Sequence, residues 1–166
     1  QCKAAFENLS EQQRTTLVNL HDRIQKFAQM QRQSVVDMEM DIPGGKAGHS
    51  VSPCKAAGCY APGGRYPLPS SVLMTAVTAR AAGVSTVILA SPKPQPITLA
   101  AAHVSGVEFF LPVGGAQAVA ALAFGVDGIE PNGSNPTTTP PCDVICGPGN
   151  QWVTAAVSSR DGTSQI

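Results

Sequence analysis

Residues 83–115 read GVSTVILASPKPQPITLAAAHVSGVEFFLPVGG. An apolar run at 86–91 gives way to a proline-punctuated link, then to an alanine-rich segment ending at Gly106, then to a second run at 107–112. Neither run alternates cleanly between apolar and polar residues, as expected of a strand covered on both faces. The segment between them, 96–105, has helical length, and Ala100-Ala101-Ala102 lets it lie close against a sheet. Strand, helix and strand joined by short links predict parallel pairing through a right-handed crossover.

The same alternation extends outward. Strands are predicted at 57–60 and 142–146, and helices at 70–82, 115–125 and 150–159. Ser70 or Ser71 is placed to cap the first of these helices, and Gly83, Gly106 and Gly125 stand where left-handed termini are wanted. The expectation is an open α/β unit of about four parallel strands with flanking helices, preceded by a helical segment. Glu130 to Pro141 interrupts the pattern with four prolines and no large apolar residue, and reads as an exposed, mobile loop without an assigned role.

In the lead, Leu17, Leu20, Ile24 and Phe27 recur at three- and four-residue steps, one face of a helix, and Ser10 with Gln13 reads as its capping box. Ile42-Pro43-Gly44-Gly45 ends the helical pattern, with loop to about Pro53. A lone helix cannot hold its apolar face, so this one is expected to need another domain or subunit. The division implied is 1–56 as helical lead and loop of a neighbouring domain, 57–160 as the α/β domain, and 161–166 as a divergent or truncated tail.

Composition narrows the function classes. Eleven basic residues balance eleven acidic ones, so no field recruits nucleic acid or an anionic membrane. No apolar run is long enough to cross a bilayer, and the start lacks a signal-peptide pattern. The five cysteines, Cys2, Cys54, Cys59, Cys142 and Cys146, form neither a disulfide framework nor paired zinc knuckles, so all five are expected reduced, inside a cell.

Ligands collect at the carboxyl ends of parallel strands. Three of the four predicted strand exits carry glycine pairs or Gly-x-Gly: Pro62-Gly63-Gly64, Gly114-Gly115 and Gly147-Pro148-Gly149. Glycines let backbone amides approach a ligand, and helix N-termini favour phosphate. Tyr60, Gln117 and Asn150 stand beside them, offering an aromatic face and two amides. Asn150 could equally be only an N-cap, and Gln117 only a solvated first-turn residue. The second exit, Ser91-Pro92-Lys93-Pro94, has no carboxylate for a ribose, and no Gly-x-Gly-x-x-Gly follows the first strand. His21, His49 and His103 are unpaired by spacing with other metal ligands. Cys146, at a strand end, stands where a nucleophile could sit, though a buried thiol is the plainer reading.

At Gly58-Cys59-Tyr60-Ala61-Pro62-Gly63-Gly64, Pro69-Ser70-Ser71-Val72-Leu73-Met74, Val113-Gly114-Gly115-Ala116-Gln117-Ala118-Val119-Ala120-Ala121-Leu122-Ala123 and Gly147-Pro148-Gly149-Asn150, the chain resembles histidinol dehydrogenase. The resemblance runs over about 15–157 and implies an incomplete Rossmann-like NAD-binding domain. It also implies oxidation of L-histidinol, an amino alcohol, to L-histidine through the aldehyde in cytoplasmic histidine biosynthesis, by a zinc-dependent homodimer. Its NAD contacts map onto Tyr60, Gln117 and Asn150, with backbone support from Gly63, Gly64, Gly114, Gly115, Gly147 and Gly149. The family's zinc ligands and acid–base residues have no counterpart among these residues, so the isolated chain is expected to be inactive. The other expectations are a homologous dehydrogenase of another small hydroxy compound and a non-catalytic binding or interaction module.

Overall fold

A computed structural model describes residues 1–63, 66–129 and 137–158. Helices α1 (Cys2–Glu7) and α2 (Glu11–Gln33) open the chain. At the start of α2 the Ser10 hydroxyl accepts from the Gln13 amide, and the Gln13 side chain accepts from the Ser10 amide, completing the expected capping box. Three of the four residues of the predicted α2 stripe pack within this chain. Leu17, Leu20 and Ile24, with Cys2, Phe6 and Leu9 from the α1 region, join the core beneath them. Phe27, the last residue of the predicted stripe, is 58% exposed.

The helix stops at Gln33, and the segment read as running on to Ile42 and then looping to Pro53 is a hairpin instead. Strands β1 (Met38–Ile42) and β2 (Gly45–His49) pair antiparallel, Ile42 opposite Gly45 across the Pro43-Gly44 turn. Every residue of both strands is exposed. Gly44 takes φ +90, which the tight turn demands and glycine supplies without strain.

The body follows: β3 (Ala56–Tyr60), α3 (Pro69–Ala81), β4 (Thr86–Ala90), α4 (Pro96–Val104), β5 (Phe109–Leu111), α5 (Gly115–Phe124), β6 (Val126–Ile129), β7 (Thr137–Thr139), β8 (Val144–Cys146) and α6 (Gln151–Ser158). All pairings within the four-stranded sheet are parallel, in the order β5-β4-β3-β8. β3 is buried along its whole length. On one face, Cys59, Val87 and Leu89 meet Val72, Leu73, Ala76 and Ala101 of α3 and α4, with α1 and α2 stacked outside them. On the other, Tyr60, Ile88 and Ile145 meet Ala118, Val119 and Leu122 of α5 and Val153 of α6.

Two expectations need correction. Neither Ser70 nor Ser71 caps α3: Leu68 is its N-cap and Pro69 its first residue, where a missing N–H costs nothing. The stretch 130–141 is not simply an exposed loop. Residues 130–136 lie outside the described residues, but Thr137–Thr139 pairs antiparallel with β6, and Thr139 is 1% exposed with its hydroxyl accepting from the Val126 amide at 2.9 Å. No helix among the described residues is long and apolar enough to cross a membrane.

The amino ends of the strands are tied by carboxylates. Asp143 Oδ2 accepts from the amides of Lys55 and Ala56 at 2.7 and 2.9 Å, and Glu108 Oε2 accepts from the Val87 amide at 2.7 Å. Arg80, at the end of α3, pairs with Glu108 and donates to the carbonyls of Val84, Ser85 and Gly106. Its side chain is 28% accessible, so water screens part of this cluster. Arg80→Ala is expected to cost about 2 kcal/mol, because three carbonyls and a carboxylate lose one shared donor. Arg80→Lys should recover less than half of that, lacking the planar fork. Urea midpoints measure both.

Candidate functional site

The strand order sets the site. From β3 the chain moves outward to β4 and β5, then returns through α5, on the opposite face from α3 and α4, to place β8 on the other side of β3. The direction of winding therefore reverses between β3 and β8. Connections diverge there, and in open α/β sheets it is at the carboxyl ends of such strands that ligands collect. Tyr60 ends β3, Gly147 to Asn150 leaves β8, and Gln117 lies in the first turn of α5, whose residues pack against α6. The topology thus brings the three predicted residues to one end of the sheet.

Their roles differ. Tyr60 is 5% exposed, so its ring is part of the core and presents no free face for stacking. Its hydroxyl accepts from the Gly115 amide at 3.2 Å, tying β3 to the start of α5. Asn150 Oδ1 accepts from the amides of Trp152 and Val153, both at 3.1 Å, so it does cap α6. Its side chain and that of Gln117 are exposed. The residues left to meet a ligand are thus two amides at the N-termini of adjacent helices.

The glycines are explained largely by close packing. A Cβ at Gly147 would stand 2.0 Å from the Tyr60 carbonyl oxygen, and one at Gly149 2.6 Å from Val153 Cγ1. Pro92 is wedged between the first and third exits: Cβ atoms at Gly63 and Gly114 would lie 2.5 and 2.6 Å from its Cγ. Gly115 has φ +70 and faces Gln117 Oε1. Gly64 lies outside the described residues.

The reading from sequence passed over a second feature. A cleft of about 700 Å³ opens at the exits of β3 and β4, lined by Pro62, Gly63, Tyr66, Ser91, Lys93 and Gln95 among others. Lys93 is exposed and holds φ +46 between two prolines, a left-handed conformation that non-glycine residues rarely adopt. A basic residue beside a helix start in Ser91-Pro92-Lys93-Pro94 was the available signal. The missing carboxylate drew attention instead.

The histidines stay apart from this end. His103 packs against Phe6 with ring centroids 5.6 Å apart, His49 meets the Val36 carbonyl, and His21 bonds Asp22 on α2. Among the described residues no three His, Cys, Asp or Glu side chains converge as a metal site would need. Cys146 is half-buried and has a partner. Cys59 stands opposite it in the β3–β8 register, and the interaction of the two thiols together with burial pushes Cys59 well above its ordinary pKa. The same interaction pulls Cys146 down, against the opposing effect of its own burial.

Residues 1–166 match the family profile of histidinol dehydrogenase from end to end. The chain belongs to the histidinol dehydrogenase family. A histidinol dehydrogenase from Parasynechococcus marenigrum (strain WH8102) is 43% identical over 161 residues, covering 94% of this chain and 34% of that protein. The sulfopropanediol 3-dehydrogenase of Ruegeria pomeroyi (strain ATCC 700808 / DSM 15171 / DSS-3) is 35% identical over 93% of this chain and 34% of its own length. The crystal structure of histidinol dehydrogenase from Elizabethkingia anophelis superposes with a TM-score of 0.79 at 30% identity, covering 95% of this chain and 35% of that one. The chain spans about a third of the length of these family members.

Gly147→Ala tests the tightest contact at the site. The clash is with backbone, which no rotamer change relieves, and φ is +144, so a loss of at least about 3 kcal/mol is expected. Gly128→Ala, with φ +73 and open space around it, should cost about 1 kcal/mol. Equal losses in urea denaturation would show that φ rather than contact governs Gly147.

Proposed function

We propose that these residues form the NAD-binding part of a histidinol dehydrogenase, a cytoplasmic, homodimeric enzyme of histidine biosynthesis that uses zinc. Residues 57–160 are the cofactor-binding unit in this reading. The observation that carries it is the pair of exposed amides, Gln117 and Asn150, at helix N-termini beside the switch point between β3 and β8. An amide can donate and accept at once, as ribose hydroxyls and a carboxamide require. The positive ends of α5 and α6 favour phosphate. NAD, when bound, supplies the hydride acceptor.

The residues of this chain bind and orient. Asn150 Oδ1 is committed to its cap, so the amide's NH2 group is the part that turns to a ligand. Tyr60 acts indirectly, by holding the Gly114-Gly115 turn against β3. The described residues do not fit zinc, and no step through the metal is assigned to them. Substrate oxidation belongs to the remaining two thirds of the family's length.

A dehydrogenase acting on another small hydroxy compound is the second reading, favoured by the similarity to a sulfopropanediol 3-dehydrogenase. Both readings share the cofactor site.

NAD titration followed by the fluorescence of Trp152, which is 70% exposed and two residues from Asn150, tests the site. Saturable binding is expected, weakened about tenfold or more in Gln117→Ala, the equivalent of about 1.4 kcal/mol. Asn150→Asp keeps the capping oxygen and removes the donor, so it should weaken NAD while leaving the unfolding free energy from urea denaturation within about 0.5 kcal/mol of wild type. No binding at millimolar NAD would overturn the proposal. The purified 166 residues are expected to form no NADH with histidinol and added zinc. Steady absorbance growth at the NADH band would refute that division of labour.

A further inference from the structure

Cys59 and Cys146 are register partners on adjacent parallel strands, β3 and β8, with both side chains directed to the face covered by α3. Neighbouring strands lie about 4.7–4.9 Å apart, inside the range of about 4.4–6.8 Å between Cα atoms that a disulfide spans. β8 stands at the end of the strand order and is three residues long, so it can shift slightly without breaking the sheet. Cys59 is fully buried, whereas Cys146 helps line an apolar cleft of about 490 Å³ bounded by Arg32, Pro53, Thr75 and Val144, with Cys54 at its exposed rim. Cys142, whose sulfur lies near Gly58, belongs to the core on the opposite face.

We propose that Cys59 and Cys146 form a redox-active thiol pair, a modification site where a small peroxide oxidises Cys146 and Cys59 resolves the product to a cross-strand disulfide. The Cys146 thiolate attacks one peroxide oxygen and the O–O bond breaks. The sulfur becomes a sulfenic acid, and the departing oxygen leaves as water (or an alcohol, from an organic peroxide) after taking up a proton. The Cys59 sulfur then attacks Cys146, the S–O bond breaks, and the hydroxyl leaves as water with the Cys59 proton. One peroxide is reduced and two thiols are oxidised to one disulfide. The neighbouring Cys59 thiol, opposite in register, favours the thiolate at Cys146, the form that reacts. The cleft gives access to Cys146 but not to Cys59, so the order of the two steps follows from burial.

The reduced 166-residue chain is treated with one equivalent of hydrogen peroxide, blocked by alkylation and mapped by mass spectrometry. A Cys59–Cys146 linked peptide that separates on reduction is expected, with Cys146 consumed about tenfold faster than exposed Cys54. In Cys59→Ser the sulfenic acid at Cys146 should persist and be trapped by a cyclic diketone several-fold more than in wild type, while Cys54→Ser and Cys142→Ser form the link normally. Oxidation of Cys54 as fast as Cys146, a link to any other partner, or equal trapping in wild type and Cys59→Ser would overturn the proposal. The mapping of the wild-type chain stands whether or not the variants fold.

Discussion

The chain leaves β8 by crossing the end of β3 at van der Waals contact, the Cα of Gly147 set against the carbonyl of Tyr60. Most of the carboxyl end of the sheet follows from that crossing. It fixes how near the two strands of the switch point stand, and hence where the turn into α6 begins and where Asn150 is held. Gly58 shows the same economy one turn of the pleat earlier: a Cβ there would meet Cys142 and Leu122 at 3.1 Å, so α5 lies close over the middle of β3. Closeness of helix to sheet then brings the Tyr60 hydroxyl within reach of the Gly115 amide. A bulkier β3 would move α5 outward and part the two helix starts.

The two ends of the sheet divide the polar work. At the amino end, Glu108 and Asp143 are consumed in extending the ladder to strands that begin before their neighbours do. At the carboxyl end the exits carry amides, glycines and prolines. Without carboxylates among its described exit residues, that end does not repel an anion.

The alternation of strand and helix was legible because the sheet is covered on both faces, which writes continuous apolar runs such as 86–91 into the sequence. Its four strands and four helices fall within about two residues of the reading. The β1–β2 hairpin was missed because both strands are exposed and bury nothing, although Met38, Met40 and Ile42 do alternate with Glu39 and Asp41. β7 was hidden by its proline-rich surroundings. Strand order is not written locally at all, so the switch point became visible only in three dimensions. Chemistry and position singled out Tyr60, Gln117 and Asn150, and the fold brings them to one end of the sheet. The burial of the Tyr60 ring was not, because an aromatic residue at a strand end has the same letter whether its face is covered or free.

Pro92, locked between Gly63 and Gly114, and Lys93, held at positive φ between two prolines, make the middle of this edge stiff. Three consecutive residues there have little backbone freedom left. A molecule settling on the edge finds its shape already decided during folding, and little of its contact energy is offset by loop ordering. The same stiffness has a kinetic side. A rim that need not close over a molecule need not reopen to release it, so exchange there can proceed as fast as the contacts themselves break.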